Sequence, residues 1–436
     1  MHRSTPTTRR GIVATLAIAV VGSLFAAQSV SARPALTDAL YVPPPNQLAK
    51  RQIAQLTAQG DRTAAAEIRD MIETPQAVWF TAGTPRTVRH EVHSTVVRAA
   101  AKSSTPVLVA YNIPFRDCPQ FSAGGATTAA EYEAWIDGFA AGIGDYPAIV
   151  ILEPDGLGII PWYNPYGSVD GDALEWCQPA EADPETAAAE RFEMLNYAVD
   201  ALAALPDVTV YLDGTHSAWL GVGDIAHRLQ QAGVADADGF FLNVSNYQFT
   251  VNSVQYGNWI SACLAIADVV DEFFNCPNQY WNGGPLPSKI AQLLGEWMGV
   301  ALDRYGEWSD DSDTPELNTS GINLRYAGAE PTTSFVIDTS RNGQGPWEPP
   351  VGVYPDPQDW CNPPDRGLGL DPTLTTGEAL VDAYLWVKIP GESDGECTRG
   401  LGPAGTTVDP EWGLIDPGAG VWFPEMALQL SANANS

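Results

Sequence analysis

Short apolar runs recur along the chain, and longer stretches with helical spacing separate several of them. Each run is continuous rather than alternating, which is typical of parallel strands that helices bury on both faces. The predicted strands are Val107–Tyr111, Ala148–Leu152, Val208–Leu212, Gly239–Leu242, Ser334–Ile337 and Ala383–Val387. The predicted helices are Thr127–Ile143, Glu185–Leu205 and Val222–Ala232. This order predicts an α/β fold with a parallel sheet and right-handed crossovers.

A polar, turn-prone cluster follows each predicted strand. The clusters occupy residues 112–117, 153–156, 213–216, 243–246, 338–342 and 388–394. One such cluster indicates no more than a solvated turn, but every one of them contains carboxylate, amide or cationic groups. Because the carboxyl ends of barrel strands meet at one face, we expect these groups to form a single site at the rim of a parallel barrel.

The first 32 residues have the pattern of a signal peptide. Arg3, Arg9 and Arg10 precede the apolar run Gly11–Ala27, and small residues follow at a suitable cleavage position. The run is short for a bilayer span, so we predict cleavage rather than anchoring, through the general secretory or the twin-arginine route. Residues 33–436 are predicted to form one domain, because no Ser/Thr/Pro-rich linker divides them.

The charge of the chain excludes several classes of partner. With 22 Lys and Arg against 53 Asp and Glu, the net charge is −31. A phosphate backbone or an anionic membrane would be repelled, so we expect a neutral partner, no nucleic acid and no membrane.

Six cysteines in an exported chain predict three disulfides. They are Cys118, Cys177, Cys263, Cys276, Cys361 and Cys397. The spacing leaves their pairing open. Because there is no close Cys-x-x-Cys pair and only 5 His are present, we do not expect a structural zinc site. The acidic run 310–313 could bind Ca²⁺, but a solvated loop is favoured, and we predict no metal site and no cofactor.

Three acids that follow predicted strands have the chemistry for cleaving a bond between sugars. Such cleavage needs one group to protonate the leaving oxygen and another to admit water or to attack, and two carboxyl groups can fill both roles. Asp117, Asp155 and Asp394 are the candidates. Asp155, between Pro154 and Gly156, is the best candidate for the proton donor, since burial or a nearby carboxylate raises a pKa. A simple Pro-Asp-Gly turn is the alternative.

Aromatic side chains are the natural partners of the apolar faces of sugar rings. Trp79, Trp162, Trp219 and Trp360 are near the predicted rim and are candidates for this role, although a single Trp is more often part of a core.

Several long strings, each after a predicted strand, carry a resemblance to a known family. They are YNIPFRDC (111–118), ILEPDGLG (151–158), YLDGTHSAWL (211–220), LNVSNY (242–247), VIDTSRNGQGPW (336–347), DWCNPPDRGLG (359–369) and AYLWVKIPGESDG (383–395). The chain resembles glycoside hydrolase family 6, the inverting cellobiohydrolases and endoglucanases that act on cellulose. The resemblance implies a single irregular barrel of about seven parallel strands with long loops at the active site.

The resemblance also implies roles for individual residues. Asp155 is similar to the general acid, and Asp117 to the neighbour that raises its pKa and relays a proton from the attacking water. Asp394 occupies the place proposed for the base, although an ion pair with Lys388 or Arg341 is an equal alternative. Tyr111 matches the tyrosine that distorts the sugar. The residues implied to contact sugar are Trp79, Tyr111, Asp213, His216, Trp219, Asn246, Trp360, Lys388 and Glu392.

The disulfides that the resemblance implies are Cys118 with Cys177 and Cys361 with Cys397, which leaves Cys263 with Cys276. The substrate it implies is a β-1,4-glucan chain, and we expect a monomer. A non-catalytic carbohydrate-binding protein and a hydrolase of mixed-linkage glucan are the alternatives.

The chain departs from the family pattern at four places. The motif that is commonly Asp-Ala-Gly-His in the family is Asp213-Gly214-Thr215-His216 here. Ala123 replaces a water-binding Ser, and Val222 replaces a Trp found in some cellobiohydrolases. The stretch from about 249 to 331 is longer than in compact endoglucanases, and its role stays open. So does the choice between endo and exo action, with a slight preference for an exo-like, partly covered cleft.

Overall fold

Seven parallel strands form one sheet in which every strand pairs with its neighbours in sequence. The computed structural model describes residue 2 and residues 39–164, 176–266, 273, 276–280, 301–311 and 313–434. The strands are β1 Val78–Phe80, β2 Val107–Ala110, β3 Ala148–Leu152, β4 Val208–Asp213, β5 Gly239–Leu242, β6 Ser334–Asp338 and β7 Val381–Leu385. The predicted fold class, an irregular seven-stranded parallel barrel, is confirmed. The predicted signal peptide lies outside the described residues.

Nine helices are found in the described part of the chain. They are α1 Gln47–Gln59, α2 Arg62–Glu73, α3 Pro85–Ala101, α4 Ala129–Ile143, α5 Ala187–Ala203, α6 Val222–Gln231, α7 Thr250–Ala265, α8 Ser320–Arg325 and α9 Pro424–Ala432. Local sequence explains several boundaries. Thr84 forms a capping box with Thr87 ahead of Pro85, and the Thr128 side chain accepts a hydrogen bond from the Glu131 amide. None of these helices is long and apolar enough to cross a membrane.

The sheet curls until its first and last strands approach each other. The Ala77 amide donates a hydrogen bond to the Trp386 carbonyl over 2.9 Å, and the Trp79 indole donates to the Val387 carbonyl over 2.8 Å. The described residues contain no ladder between β1 and β7, so the barrel stays incompletely closed.

Alternate residues of each strand enter two different apolar clusters. Val109, Ile151 and Phe241 belong to a cluster of strand and loop residues inside the curl. Their neighbours Leu108, Val150 and Phe240 pack with residues of the surrounding helices. Burial on both faces explains why the strands read as continuous apolar runs.

The sequence prediction missed β1 and placed β7 too far along the chain. β1 has only three residues, too few to show a pattern. The predicted last strand, Ala383–Val387, includes two residues that belong to the following loop. The Val387 and Lys388 amides turn toward the carboxylate of Asp338, over 3.2 and 2.9 Å.

The three disulfides of the structure join Cys118 to Cys177, Cys263 to Cys276 and Cys361 to Cys397. These are the pairs that the resemblance implies. The first connects the loop after β2 to the segment before α5, and the last connects the loops on either side of β7. Both therefore restrain loops at the carboxyl ends of the strands.

Candidate active site

A groove of about 730 Å³ runs across the carboxyl ends of the strands. Its walls include the three predicted acids, Asp117, Asp155 and Asp394. The predicted sugar-contacting residues that also line it are Trp79, Tyr111, His216, Trp219, Asn246, Trp360, Lys388 and Glu392. The expectation that the strand ends converge on one site describes this arrangement well.

Asp155 lies in a tight loop directly after β3. Its φ of 63° and that of Glu153, 53°, fall in the left-handed region, which non-glycine residues adopt only when surrounding contacts hold them there. The loop is closed by hydrogen bonds from the Gly156 amide to the Glu153 carbonyl and from the Ile159 amide to the Asp155 carbonyl, both 2.8 Å. The conformation of the loop thus aims the Asp155 carboxyl group into the groove.

Asp213 holds this loop from the neighbouring strand. One carboxylate oxygen accepts hydrogen bonds from the Leu157 and Gly158 amides, each 3.1 Å, and the other accepts from the Thr215 amide over 2.8 Å. Asp213 is buried and is not among the described residues that line the groove. Because backbone donors contact both of its oxygens, Asp213 supports the loop. Its contact with a sugar stays a prediction.

A buried arginine of α5 connects the Asp155 loop to the loop after β2. Arg191 donates from Nη1 to the Gly156 and Ile159 carbonyls over 2.7 and 2.8 Å, and from Nη2 to the Pro114 carbonyl over 2.7 Å. Sequence reasoning missed it. The available signal was an arginine next to Phe192 on the apolar side of a predicted helix.

A second buried arginine, from α6, supports the same loop. Arg228 donates to the Leu157 carbonyl over 2.8 Å while Asp224 neutralises its charge at 2.8 Å. Arg191, Arg228 and Asp213 together satisfy amides and carbonyls along the loop, so the position of Asp155 is determined by side chains from three separate elements.

Burial raises the pKa of Asp155 well above its usual range. The negative charges of Asp117 and Asp213 raise it further, while Lys388 opposes the shift. The shift favours the protonated form of Asp155. A neutral carboxylic acid in a groove can donate a proton, which is the property required of a general acid.

Asp117 occupies the loop after β2 in a partly buried position. One of its carboxylate oxygens accepts a hydrogen bond from the Ser122 amide over 2.7 Å. Burial raises the pKa of Asp117 to about 6, although the Ser122 amide, Arg116 and Lys388 act in the opposite direction. Asp117 therefore changes protonation state near neutral pH.

Glu153 lies beneath the two loops and is fully buried. Its carboxylate accepts hydrogen bonds from the Asn112 amide, at 2.9 and 3.0 Å, and from the Ile113 amide at 3.0 Å. Burial raises its pKa to about 7, against the effect of these amides and of Arg191. Glu153 links the loops that present Asp117 and Asp155.

Asp394 has the opposite electrostatic environment. Arg341 and Lys388 lie 3.0 and 3.3 Å from one of its oxygens. The other oxygen accepts from the Tyr247 hydroxyl, Arg341 and the Asn362 amide, each at 3.0 Å. Burial alone would raise the pKa of Asp394, but Arg341 and Lys388 outweigh it and the pKa is lowered. Asp394 is a fixed anion, in agreement with the ion-pair alternative.

Aromatic residues line the groove. Trp79 and Tyr111 contact each other edge to face at 5.4 Å between centroids, and the Arg116 guanidinium lies 4.7 Å from the Tyr111 ring. Trp219 packs against Gly158, where a Cβ would lie 2.3 Å from the indole, so only glycine fits. Trp219 is thereby positioned directly beside the Asp155 loop.

His216 is a neutral donor or acceptor rather than a cation. Burial lowers its pKa to about 3, and the charge of Arg304 adds to the effect. Its Nδ1 accepts a hydrogen bond from the Ala218 amide over 3.3 Å, so the ring proton belongs on Nε2. Nε2 can therefore donate to a sugar hydroxyl.

The groove also contains residues that the sequence prediction missed or misplaced. Four lining residues are absent from the sequence prediction: Trp176, Tyr247, Arg304 and Asp359. Trp162 is not among the described lining residues, because its indole donates to the Pro179 carbonyl over 3.0 Å and supports a neighbouring loop.

The model of the glycosyl hydrolases family 6 matches residues 36–434 of the chain. The chain belongs to this family. Endoglucanase A of Thermobispora bispora is 30% identical over 98% of this chain and 70% of its own length. The probable 1,4-β-D-glucan cellobiohydrolase C of Aspergillus niger is 28% identical over 93% of this chain and 79% of its own.

Solved structures lead to the same family. The endoglucanase Cel6 of Mycobacterium tuberculosis, in complex with methyl-cellobiosyl-4-deoxy-4-thio-β-D-cellobioside, is similar with a TM-score of 0.60 and 31% identity, over 92% of this chain and 99% of that one. The family 6 chain described here is a glycoside hydrolase whose relatives are named as endoglucanases and cellobiohydrolases.

Proposed function

We propose that this family 6 chain hydrolyses β-1,4-glucosidic bonds in cellulose and cello-oligosaccharides with inversion of configuration. The observation that carries the proposal is that Asp155 and Asp394 line one groove with Trp79, Trp219 and Trp360, and that the pKa of Asp155 is raised while that of Asp394 is lowered. The names of the relatives, endoglucanase and cellobiohydrolase, support the choice of substrate.

In the proposed reaction Asp155 donates its proton to the oxygen that leaves with the departing sugar. Water attacks the anomeric carbon from the opposite face, and its proton moves toward Asp117, whose pKa of about 6 suits a proton acceptor. Asp394 keeps its charge and stabilises the positive charge that develops on the sugar. A later proton transfer from Asp117 to Asp155 restores the starting state.

Tyr111 and Trp79 are proposed to hold the sugar on one side of the cleaved bond. The edge-to-face contact between their rings and the cation over Tyr111 fix both side chains before substrate binds. A fixed aromatic wall lowers the entropy lost on binding and can favour a distorted sugar ring over a relaxed chair.

The stereochemical outcome tests the mechanism directly. Proton NMR of a fresh cellohexaose digest should show products with the α configuration at the new reducing end before mutarotation. Products that retain the β configuration would refute inversion, because they require a covalent intermediate or a close retaining pair.

Endo and exo action differ in how fast chains shorten. A soluble cellulose derivative should lose viscosity slowly relative to the release of reducing ends if the groove acts in the partly covered, exo-like manner that the sequence slightly favours. A steep loss of viscosity at low conversion would assign endo action instead.

We also propose that the chain is secreted after cleavage of residues 1–32 and acts as a monomer. The positively charged start, the apolar run and the small residues before the cleavage position support secretion. N-terminal sequencing of the extracellular protein should begin near residue 33, and light scattering should give the mass of one chain.

A further inference from the structure

The long stretch between the loop after β5 and strand β6 contributes to the groove. Its described residues 301–311 are fixed to α7 at several points. The Trp308 amide donates to the Asn252 side chain over 2.8 Å, and the Asn252 amide group donates to the Gly306 carbonyl over 2.9 Å. Trp308 also stacks on Trp259 at 5.5 Å. This segment therefore has a rigid base from which a side chain can project.

Arg304 extends from this base, and both Arg304 and Asp359 line the groove. Its guanidinium forms an ion pair with Asp359, which also accepts a hydrogen bond from the Tyr305 hydroxyl over 3.2 Å. The Arg304 guanidinium lies 5.0 Å from the Tyr305 ring. Although paired, the Arg304 side chain keeps 40% of its surface exposed. Its Nε is buried, so only the exposed N–H groups at the end of the guanidinium are available to a bound molecule.

The neighbours of Arg304 are those of a sugar subsite. On one side lies His216, whose pKa is lowered by burial and by the charge of Arg304, and which packs against Trp219 at 5.7 Å between centroids. On the other side Asp359 precedes Trp360, which packs near Phe121 at 6.0 Å. Indole faces contact the apolar faces of a pyranose, while Nε2 of His216 and the guanidinium can donate to its equatorial hydroxyls.

We propose that Arg304, carried by residues 301–311 and held in place by Asp359, is an additional sugar-binding residue in the part of the groove that Trp219 and Trp360 line. This proposal rests on the proposed function, since it needs a glucan chain in the groove. Arg304 is a specificity-determining residue: it contacts a sugar away from the cleaved bond and makes longer oligosaccharides bind more tightly. Its charge makes these hydrogen bonds stronger than neutral ones.

Binding without turnover gives the most direct test. In the full chain carrying Asp155→Ala, which leaves the ligand intact, calorimetry measures the Kd of cellohexaose with and without Arg304→Met. We expect Arg304→Met to weaken binding about tenfold, the loss of one charge-assisted hydrogen bond. Arg304→Lys, which keeps the charge but not the planar donor group, should show a smaller loss.

A matched control separates the subsite from the change in net charge. Arg86 is an exposed arginine of α3 outside the groove, and Arg86→Met removes the same charge. It should leave the Kd within twofold. A Kd for Arg304→Met that stays within twofold of the Asp155→Ala parent would overturn the subsite and leave the proposed function intact. A parent that binds no cello-oligosaccharide would overturn both.

Two further measurements guard against a purely structural effect. In the chain with Asp155 intact, Arg304→Met should raise KM for cellohexaose about tenfold while kcat stays within twofold. An equal fall in kcat would assign Arg304 to the support of the reacting groups and would overturn the subsite. If Arg304→Met does not fold, Asp359→Asn replaces it: releasing the guanidinium should weaken cellohexaose binding, and unchanged binding would count against the proposal.

Discussion

The loops after β3 and β7 each present an aspartate to the same groove, yet the pKa values of the two carboxyl groups are shifted in opposite directions. Asp155 has other acids nearby, so burial and the charges of Asp117 and Asp213 raise its pKa well above the usual range. Asp394 contacts Arg341 and Lys388, which lower its pKa in spite of burial.

This comparison shows how one residue type can supply both an acid and an anion. Burial acts in the same direction on both groups, so the sign of the final shift depends on the neighbours. Backbone amides and arginines hold each loop in place, and the neighbouring charges decide the protonation state. Substitutions at and around Asp155 and Asp394 should therefore have different effects on activity, stability and pH dependence.

Removing Asp155, the proposed proton donor, should cause the largest loss of activity. Asp155→Ala should lower kcat/KM on cello-oligosaccharides by about 10²–10⁴-fold, because the leaving oxygen then departs without a proton donor. Initial rates of reducing-end release measure the effect. Asp70→Ala, an exposed acid of α2, is the matched control and should keep the parent rate. Turnover near the parent level in Asp155→Ala would remove Asp155 from the mechanism.

Removing the main cation beside Asp394 should cost stability. Arg341→Met leaves a buried carboxylate with one fewer partner, so the free energy of unfolding at pH 7 should fall by about 3–5 kcal/mol in guanidinium titrations. The pKa of Asp394 should rise in this variant. The loss should therefore shrink as the pH falls, since a protonated Asp394 no longer needs a cation.

The double variant Arg341→Met/Asp394→Asn tests the cause of this loss. If an unpaired charge is responsible, the double variant should be more stable at pH 7 than Arg341→Met alone. Equal stability of the two would attribute the loss to packing and would contradict the electrostatic account of Asp394.

Neutralising the anion beside Asp155 should move the pH profile. Activity requires protonated Asp155, so kcat/KM falls as the pH rises through its pKa. Asp117→Asn removes a charge that raises this pKa, and the alkaline limb should therefore move to lower pH. Rates on cello-oligosaccharides, whose poor leaving group needs the proton, across pH 4 to 10 measure the limb. A limb that stays in place, or moves to higher pH, would contradict the coupling of Asp117 to Asp155.

The smallest effect concerns an acid pair behind the Asp394 loop. Burial raises the pKa of Asp416 to about 7, and the nearby Asp409 adds to the rise against the Asn362 hydrogen bond. A raised pKa in the folded state means that stability is fully present below the unfolded pKa and is lost as the pH rises through about 7.

Asp416→Asn imitates the protonated acid and should remove this loss. We expect a gain of about 1 kcal/mol at pH 8 and almost none at pH 4, measured as the unfolding midpoint at each pH. Asp70→Asn should show no such dependence. A variant that is less stable than the parent at pH 8 would show that the ionised Asp416 is favoured in the folded chain.

Much of the fold follows from local pattern. The continuous runs around Ile151 and Phe241 predict strands because both faces of the sheet are buried, and the turn-prone residues after them predict the rim of the barrel. The positions of Asp117, Asp155 and Asp394 follow from the same reading. The sequence prediction missed β1 because a strand of three residues is too short to show a hydrophobic pattern.

Only the tertiary structure decided what the charged groups do. Asp394 contacts Arg341 from 53 positions away, and Arg304 reaches Asp359 across 55. The resemblance implies a sugar contact for Asp213, and the structure shows that its oxygens accept hydrogen bonds from the Leu157 amide of the β3 loop and from the Thr215 amide. Burial and neighbouring charges set the protonation state of a side chain and decide which groups it contacts. Burial and charge both depend on residues that come together only when the chain folds.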